Sequence, residues 1–135
     1  MSLDENGFTI LRSGVPQELL EELRDGIFSE TRAGERCLLD LPPVRETAKL
    51  LKEQLVRSGH LPAEAVAIQA ISFNKTATTN WKVAWHQDLM FPFARGVSAV
   101  GFDLPTLKQG VAHARPPVGV LEELLAVRLH LDECD

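Results

Sequence analysis

The sequence predicts an α+β domain in which helices precede strands, or a β-barrel that carries an N-terminal helical layer. Apolar residues recur at helical spacing in the first half of the chain, whereas the second half contains β-branched and alternating segments. The chain has 135 residues, enough for one small domain with a hydrophobic core. We therefore expect a single domain over 1–135, with a helical layer over 1–62 and strands and loops over 63–135.

Two segments carry apolar residues at the spacing of an amphipathic helix. The first begins at Pro16, because a proline fits the first turn of a helix. The second begins near Pro43, and Gly59 is the expected stop. The apolar stripes consist of Leu20, Leu23 and Ile27 in the first helix and of Val44, Ala48, Leu51 and Leu55 in the second.

Strands are predicted mainly in the second half of the chain. AVAIQAISF (65–73) is apolar and β-branched, which is typical of a buried strand, and WKVAWHQDL (81–89) alternates between large apolar and smaller or polar residues. AVRLHLD (126–132) also alternates, and FTILR (8–12) fits a short strand. Glycine and proline are spread over 90–119, so we expect a loop-rich excursion there.

Composition and charge exclude several classes of protein. The formal net charge is −5, and without a basic cluster this argues against nucleic acid as the main partner. Cys37 and Cys134 are too few for a disulfide framework and form no CxxC pair, so we expect reduced thiols in a cytoplasmic protein. The N-terminus has no signal-peptide pattern, and no apolar run approaches the about 18 residues of a membrane helix.

A histidine and an aspartate stand two residues apart in AWHQDLMFPF (84–93). On a strand, residues i and i+2 point to the same side, so His86 and Asp88 would lie side by side while Trp85 packs against the helices. Imidazole and carboxylate are the ligands of the facial triad of non-haem Fe(II) oxygenases. The same spacing also fits a solvated, hydrogen-bonded pair on the wet face of a half-exposed strand.

The order of several segments resembles a known family. WHQDLMFPF follows FNKTATTNW and precedes a long loop, the turn PPVGVLEELL and the segment VRLHLDE. This order resembles the N-terminal half of the phytanoyl-CoA dioxygenase family of Fe(II)/2-oxoglutarate-dependent oxygenases. The resemblance implies helices packed on a double-stranded β-helix, or jelly roll. It also implies hydroxylation of a small-molecule C–H bond, with decarboxylation of 2-oxoglutarate to succinate.

The resemblance implies roles for four residues of this chain. His86 and Asp88 would be the first two ligands of the iron. Ile71 and Lys75, on the segment ISFNK, would contact the co-substrate 2-oxoglutarate. Fe(II) and 2-oxoglutarate are thus the cofactors that we expect, and a small molecule is the expected substrate.

Two further residues of the family pattern have no counterpart among these residues. Relatives carry a distal histidine as third ligand and an arginine that pairs with the far carboxylate of 2-oxoglutarate, both after a PGSH segment. This sequence contains no PGSH, and His113, in the loop GVAHARPP, is expected to be a solvated loop residue. We therefore expect a truncated oxygenase domain that lacks its C-terminal strands and is inactive as written.

Two consequences follow from that expectation. Half of a jelly roll leaves unpaired sheet edges, which favour self-association of the chain. The alternative to an oxygenase is a non-catalytic binding or scaffold domain derived from the same fold.

Overall fold

The computed structural model describes residues 3–28, 32–79, 82, 84 and 86–132. The helices in the described residues are α1 (Leu3–Asn6), α2 (Gln17–Ile27), α3 (Pro42–Arg57) and α4 (Val118–Leu121), with a 3-10 turn at Leu38–Asp40. The strands are β1 (Gly34–Glu35), β2 (Ser72–Phe73), β3 (Phe91–Phe93), β4 (Asp103–Lys108) and β5 (Val111–Arg115). The α+β prediction is confirmed.

Both predicted helices form, and local signals explain their ends. Pro16 caps α2 with an extended backbone, and its carbonyl accepts hydrogen bonds from the first turn of the helix. Prolines occupy the first positions of α3, where their missing N–H groups cost nothing. Gly59 follows α3 with φ +76, the left-handed conformation that ends many helices.

The hydrophobic core lies between the two long helices and the 3-10 turn. Leu23, Leu38 and Val44 are buried together, and partly buried apolar residues pack around them: Ile27, Leu39, Ala70, Leu129 and Leu131. Part of this core therefore comes from the end of the described chain, which is held against α2.

The predicted strand over 126–132 is wrong: Leu129 and Leu131 pack against the helical core, while Val127 is 50% exposed. Residues 124–130 have no regular structure. Arg24 of α2 donates hydrogen bonds to the carbonyl of Leu131, with Nε at 2.7 Å, and lies 3.3 Å from the carboxylate of Asp132. Leu129 and Leu131, which alternate with polar residues in the sequence, therefore pack on the helical layer and do not belong to a sheet.

Other predicted strands are shorter than expected or do not form. Residues 8–12 are irregular, and of 65–73 only Ser72–Phe73 pairs, with the two-residue strand β1. Val66 is 74% exposed, so the run is not a buried strand. Within 81–89, residues 82, 84 and 86–89 are irregular. Trp85, predicted to pack on the helices, lies outside the described residues, as does Cys134.

The region 90–119, predicted to be loop-rich, contains the larger sheet. Its strand order is β3-β5-β4, and all pairs are antiparallel. A two-residue turn joins β4 to β5, with positive φ at Gln109 (52) and Gly110 (78). This is the backbone of a type I′ hairpin turn, whose twist matches that of the paired strands.

Candidate functional site

His86 and Asp88 lie side by side, as predicted, although their segment is not a strand. Nε2 of His86 is 3.8 Å from Oδ1 of Asp88, and the two side chains are 57% and 76% exposed. The pair therefore sits on an accessible surface. The spacing of two residues is enough to bring the imidazole and the carboxylate together in this irregular backbone.

A backbone carbonyl fixes the tautomer of His86. Nδ1 lies 2.8 Å from the carbonyl oxygen of Ala84, and since a carbonyl only accepts, Nδ1 carries the proton of the neutral ring. Nε2 is then left with its lone pair on the side of Asp88. Metal-binding histidines usually hold their other ring N–H on a carbonyl or a carboxylate in this way.

The pair fits a divalent metal ion as two of its ligands. Two donor atoms each about 2.1 Å from one ion stand about 3.0 Å apart at a right angle and about 3.4 Å apart at a tetrahedral angle. The observed 3.8 Å is longer than both values, so metal binding requires rotation of these two exposed side chains. No group of three or more His, Cys, Asp or Glu that could hold a metal occurs in the part of the chain that the structure describes.

Ile71 lines a cleft where β1 meets β2. The cleft has a volume of about 170 Å³, and its walls are Ala33, Gly34, Arg36, Ile71 and Phe73. We call it the Arg36 cleft. Lys75, the other residue expected to contact 2-oxoglutarate, is exposed two residues beyond Phe73 and is not in its lining.

Arg36 is a residue that the sequence did not single out. It follows β1 in the connection between α2 and α3, and no motif surrounds it. Its place in a cleft depends on the pairing of Gly34 with Phe73, which is far away in the sequence. A local pattern carries no signal for such a contact.

The prediction of a solvated His113 is wrong. His113 lies on β5, the central strand of the larger sheet, and is 2% exposed. Its Nδ1 is 3.0 Å from the carbonyl of Val111, and its buried Nε2 has no hydrogen-bond partner among residues 3–28, 32–79, 82, 84 and 86–132. The error has the same origin as the missed sheet, because a histidine in a loop is usually exposed.

A bidentate ion pair joins the outer strand β4 to β5. Arg115 donates from Nε to Oδ1 of Asp103 at 2.7 Å and from Nη2 to Oδ2. These hydrogen bonds, together with the charge of Arg115, hold the pKa of the Asp103 carboxyl below its ordinary value and raise the pKa of the guanidinium. Asp103 is thus a structural carboxylate of the sheet.

In comparisons with known proteins, the chain matches no protein-family model, no curated protein and no solved structure. Among its described helices, none combines the length and the apolar character that crossing a membrane requires.

Proposed function

We propose that this chain is an Fe(II)/2-oxoglutarate-dependent oxygenase domain of the phytanoyl-CoA dioxygenase type, with a jelly roll as its parent fold. One observation supports this most strongly. Nε2 of His86 stands 3.8 Å from the Asp88 carboxylate, while Nδ1 is held on the Ala84 carbonyl. The iron, when bound, would supply the activation of O₂ for the hydroxylation of a small-molecule C–H bond.

The residues of this chain have distinct tasks in that proposal. His86 offers a neutral nitrogen donor in a fixed tautomer, and Asp88 offers an anionic oxygen that offsets part of the charge of a dication. The Ala84 carbonyl orients the ring. The exposed position leaves the other coordination positions open to co-substrate and substrate. Because two ligands give weak and poorly selective metal binding, we expect weak binding and little turnover from this pair alone.

The experiment is an anaerobic titration of the protein with Fe(II) in the presence of 2-oxoglutarate. We expect a visible charge-transfer absorption band in the wild type that His86→Ala abolishes and His60→Ala retains. His60 is a suitable control because it lies at the end of α3, outside the pair. Absence of the band from the wild type, or an unchanged band in His86→Ala, would contradict the proposal.

A non-catalytic binding or scaffold domain is the second candidate. It is favoured by the exposed edge strand β4, on which Leu104 and Leu107 are largely exposed, since an apolar edge can pair with a second chain. Exposure of the same protein to O₂ separates the two functions. Succinate release supports the oxygenase, whereas a band without succinate supports a domain that binds the metal and the acid without turnover.

A further inference from the structure

The Arg36 cleft combines apolar walls with one cation. Ala33, Gly34, Ile71 and Phe73 supply the walls, and Arg36 supplies the charge. Backbone hydrogen bonds hold the two segments that form the cleft. Beside the β1–β2 pairing, the N–H of Asn74 donates to the carbonyl of Ala33 at 2.8 Å. The fold therefore holds the backbone on which the cleft is built.

Arg36 differs from the other half-buried arginines. Arg24 and Arg115 are also half-buried, and each is paired with an aspartate. Arg36 forms no hydrogen bond or ion pair with any described residue. Partial burial of a guanidinium costs free energy unless an anion or a carbonyl compensates the charge. Arg36 can therefore bind an anion from outside the chain.

The neighbouring carboxylate does not compensate Arg36. Glu35 directs both of its carboxylate oxygens to Nη1 of Arg32, each at 3.2 Å. Glu35, the acidic residue next to Arg36 in the sequence, is thus already paired with Arg32. The positive charge of Arg36 remains available to a ligand.

We propose that the Arg36 cleft binds a small organic acid, whose carboxylate pairs with Arg36 and whose carbon chain lies against Ile71 and Phe73. Guanidinium binds carboxylate through two parallel hydrogen bonds, which orient the acid as well as hold it. The volume of about 170 Å³ exceeds that of one water, about 30 Å³. It is smaller than the pockets of drug-sized ligands, about 300 Å³ and more.

This site stands apart from the proposed metal pair, because its lining contains neither His86 nor Asp88. The co-substrate 2-oxoglutarate is one acid of the proposed class. A substrate acid without a 2-oxo group is another. The experiment therefore uses metal-free protein, so that failure at the metal pair does not affect the result.

The test is a titration of isotope-labelled protein, stripped of metal on a chelating resin and followed by NMR. The probes are 2-oxoglutarate, glutarate and neutral glutaramide, which has the same carbon chain without charge. We expect saturable shifts at the amides of 33–36 and 71–73 with both acids and none with glutaramide. Tighter binding of 2-oxoglutarate than of glutarate would identify the cleft as a site for 2-oxo acids.

Variants identify the cation that holds the acid. Arg36→Gln should weaken binding by about tenfold or more, since a hydrogen bond to a charged group is lost, and Arg36→Lys should weaken it less. Arg95→Gln, at an exposed arginine outside the cleft, should leave the affinity unchanged. Equal affinities of Arg36→Gln and wild type, equal losses in Arg36→Gln and Arg95→Gln, or the absence of saturable shifts at the cleft would overturn the proposal. The wild-type shift map decides the question even if Arg36→Gln fails to fold.

Discussion

At the scale of single residues, the protonation of His86 decides what the pair can do. A neutral ring, with its proton on Nδ1 facing the Ala84 carbonyl, presents Nε2 as a donor to a metal. A ring protonated on both nitrogens would instead form an ion pair with Asp88, whose Oδ1 is 3.8 Å from Nε2, and could not ligate. The same two side chains can thus form either a metal chelate or a surface ion pair. Metal binding favours the chelate, because a ligating histidine must be neutral.

A residue-scale prediction concerns the ion pair of Asp103 with Arg115. Because the folded pKa of Asp103 is lowered by Arg115, this carboxylate stabilises the fold fully above its ordinary pKa of 3.8. That contribution is lost as the pH falls through the lower folded pKa. Asp103→Asn should therefore lower the melting temperature slightly at neutral pH and show a smaller further loss in acid than the wild type does.

The measurement is the melting temperature as a function of pH, from neutral to below 3.8. Asp40→Asn is the matched control, since the Asp40 side chain is 99% exposed and 3.6 Å from Arg45. It should follow the wild type closely, because its contact with Arg45 is longer and more exposed than the bidentate Asp103–Arg115 pair and such pairs contribute little. If Asp103→Asn lost as much stability in acid as the wild type, the pair would not stabilise the sheet in the way described.

The candidate site residues were predictable to different degrees. The side-by-side placement of His86 and Asp88 follows from their spacing of two residues in the sequence, so a local pattern could find it. The residues around Arg36 and the buried His113 are brought there by strand pairing between segments that are distant in the sequence. The sequence next to each residue therefore did not predict its environment. Ile71 was expected at a ligand site and lies in the Arg36 cleft.

At the scale of elements, the short pairing of β1 with β2 has a large structural role. It pairs two residues on each side, yet it brings Arg36 next to Ile71 and Phe73 and so forms the cleft. Gly34 is central to this pairing. A Cβ at that position would lie 2.5 Å from the carbonyl oxygen of Ser72, a backbone atom that cannot turn away.

Gly34→Ala should therefore separate β1 from β2. We expect a loss of about 1–3 kcal/mol in the free energy of unfolding, as is typical of overpacked sites, together with weaker acid binding at the cleft. Urea unfolding measures the first effect. Gly96→Ala is the control, because a Cβ there would meet no atom within 4 Å, and its effect should stay within about 0.5 kcal/mol. Equal stability of the two variants would show that β1 and β2 do not need this close approach.

The helices could be predicted from the sequence, and most of the strands could not. The signals of α2 and α3 are local: a proline at the start and apolar residues at the helical period. A strand needs a partner, and the β-branched run 65–73 has one only at its end. The hairpin of β4 and β5 was missed because its turn uses Gln109 where asparagine or aspartate usually signals a type I′ turn.

At the scale of the whole molecule, few hydrophobic residues of the described chain are buried and many are exposed. The buried hydrophobic residues are Val15, Leu23, Leu38, Val44, Leu55 and Ala114. Large exposed ones include Leu104 and Leu107 on the edge strand β4. Exposed apolar surface next to an unpaired edge is a common site of association. This supports self-association of the chain as part of the proposed scaffold function.

The central claim is that a divalent metal binds at His86 and Asp88. A titration with a paramagnetic metal tests this claim, because it reports metal binding at every assigned amide of the molecule. Mn²⁺ is added to isotope-labelled protein, and the line width of every assigned amide is followed by NMR. We predict that the signals around 84–88 broaden first and that His86→Ala removes this effect. Broadening that begins elsewhere, for example at Glu18 in the first turn of α2, or that is unchanged in His86→Ala, would contradict metal binding at this pair.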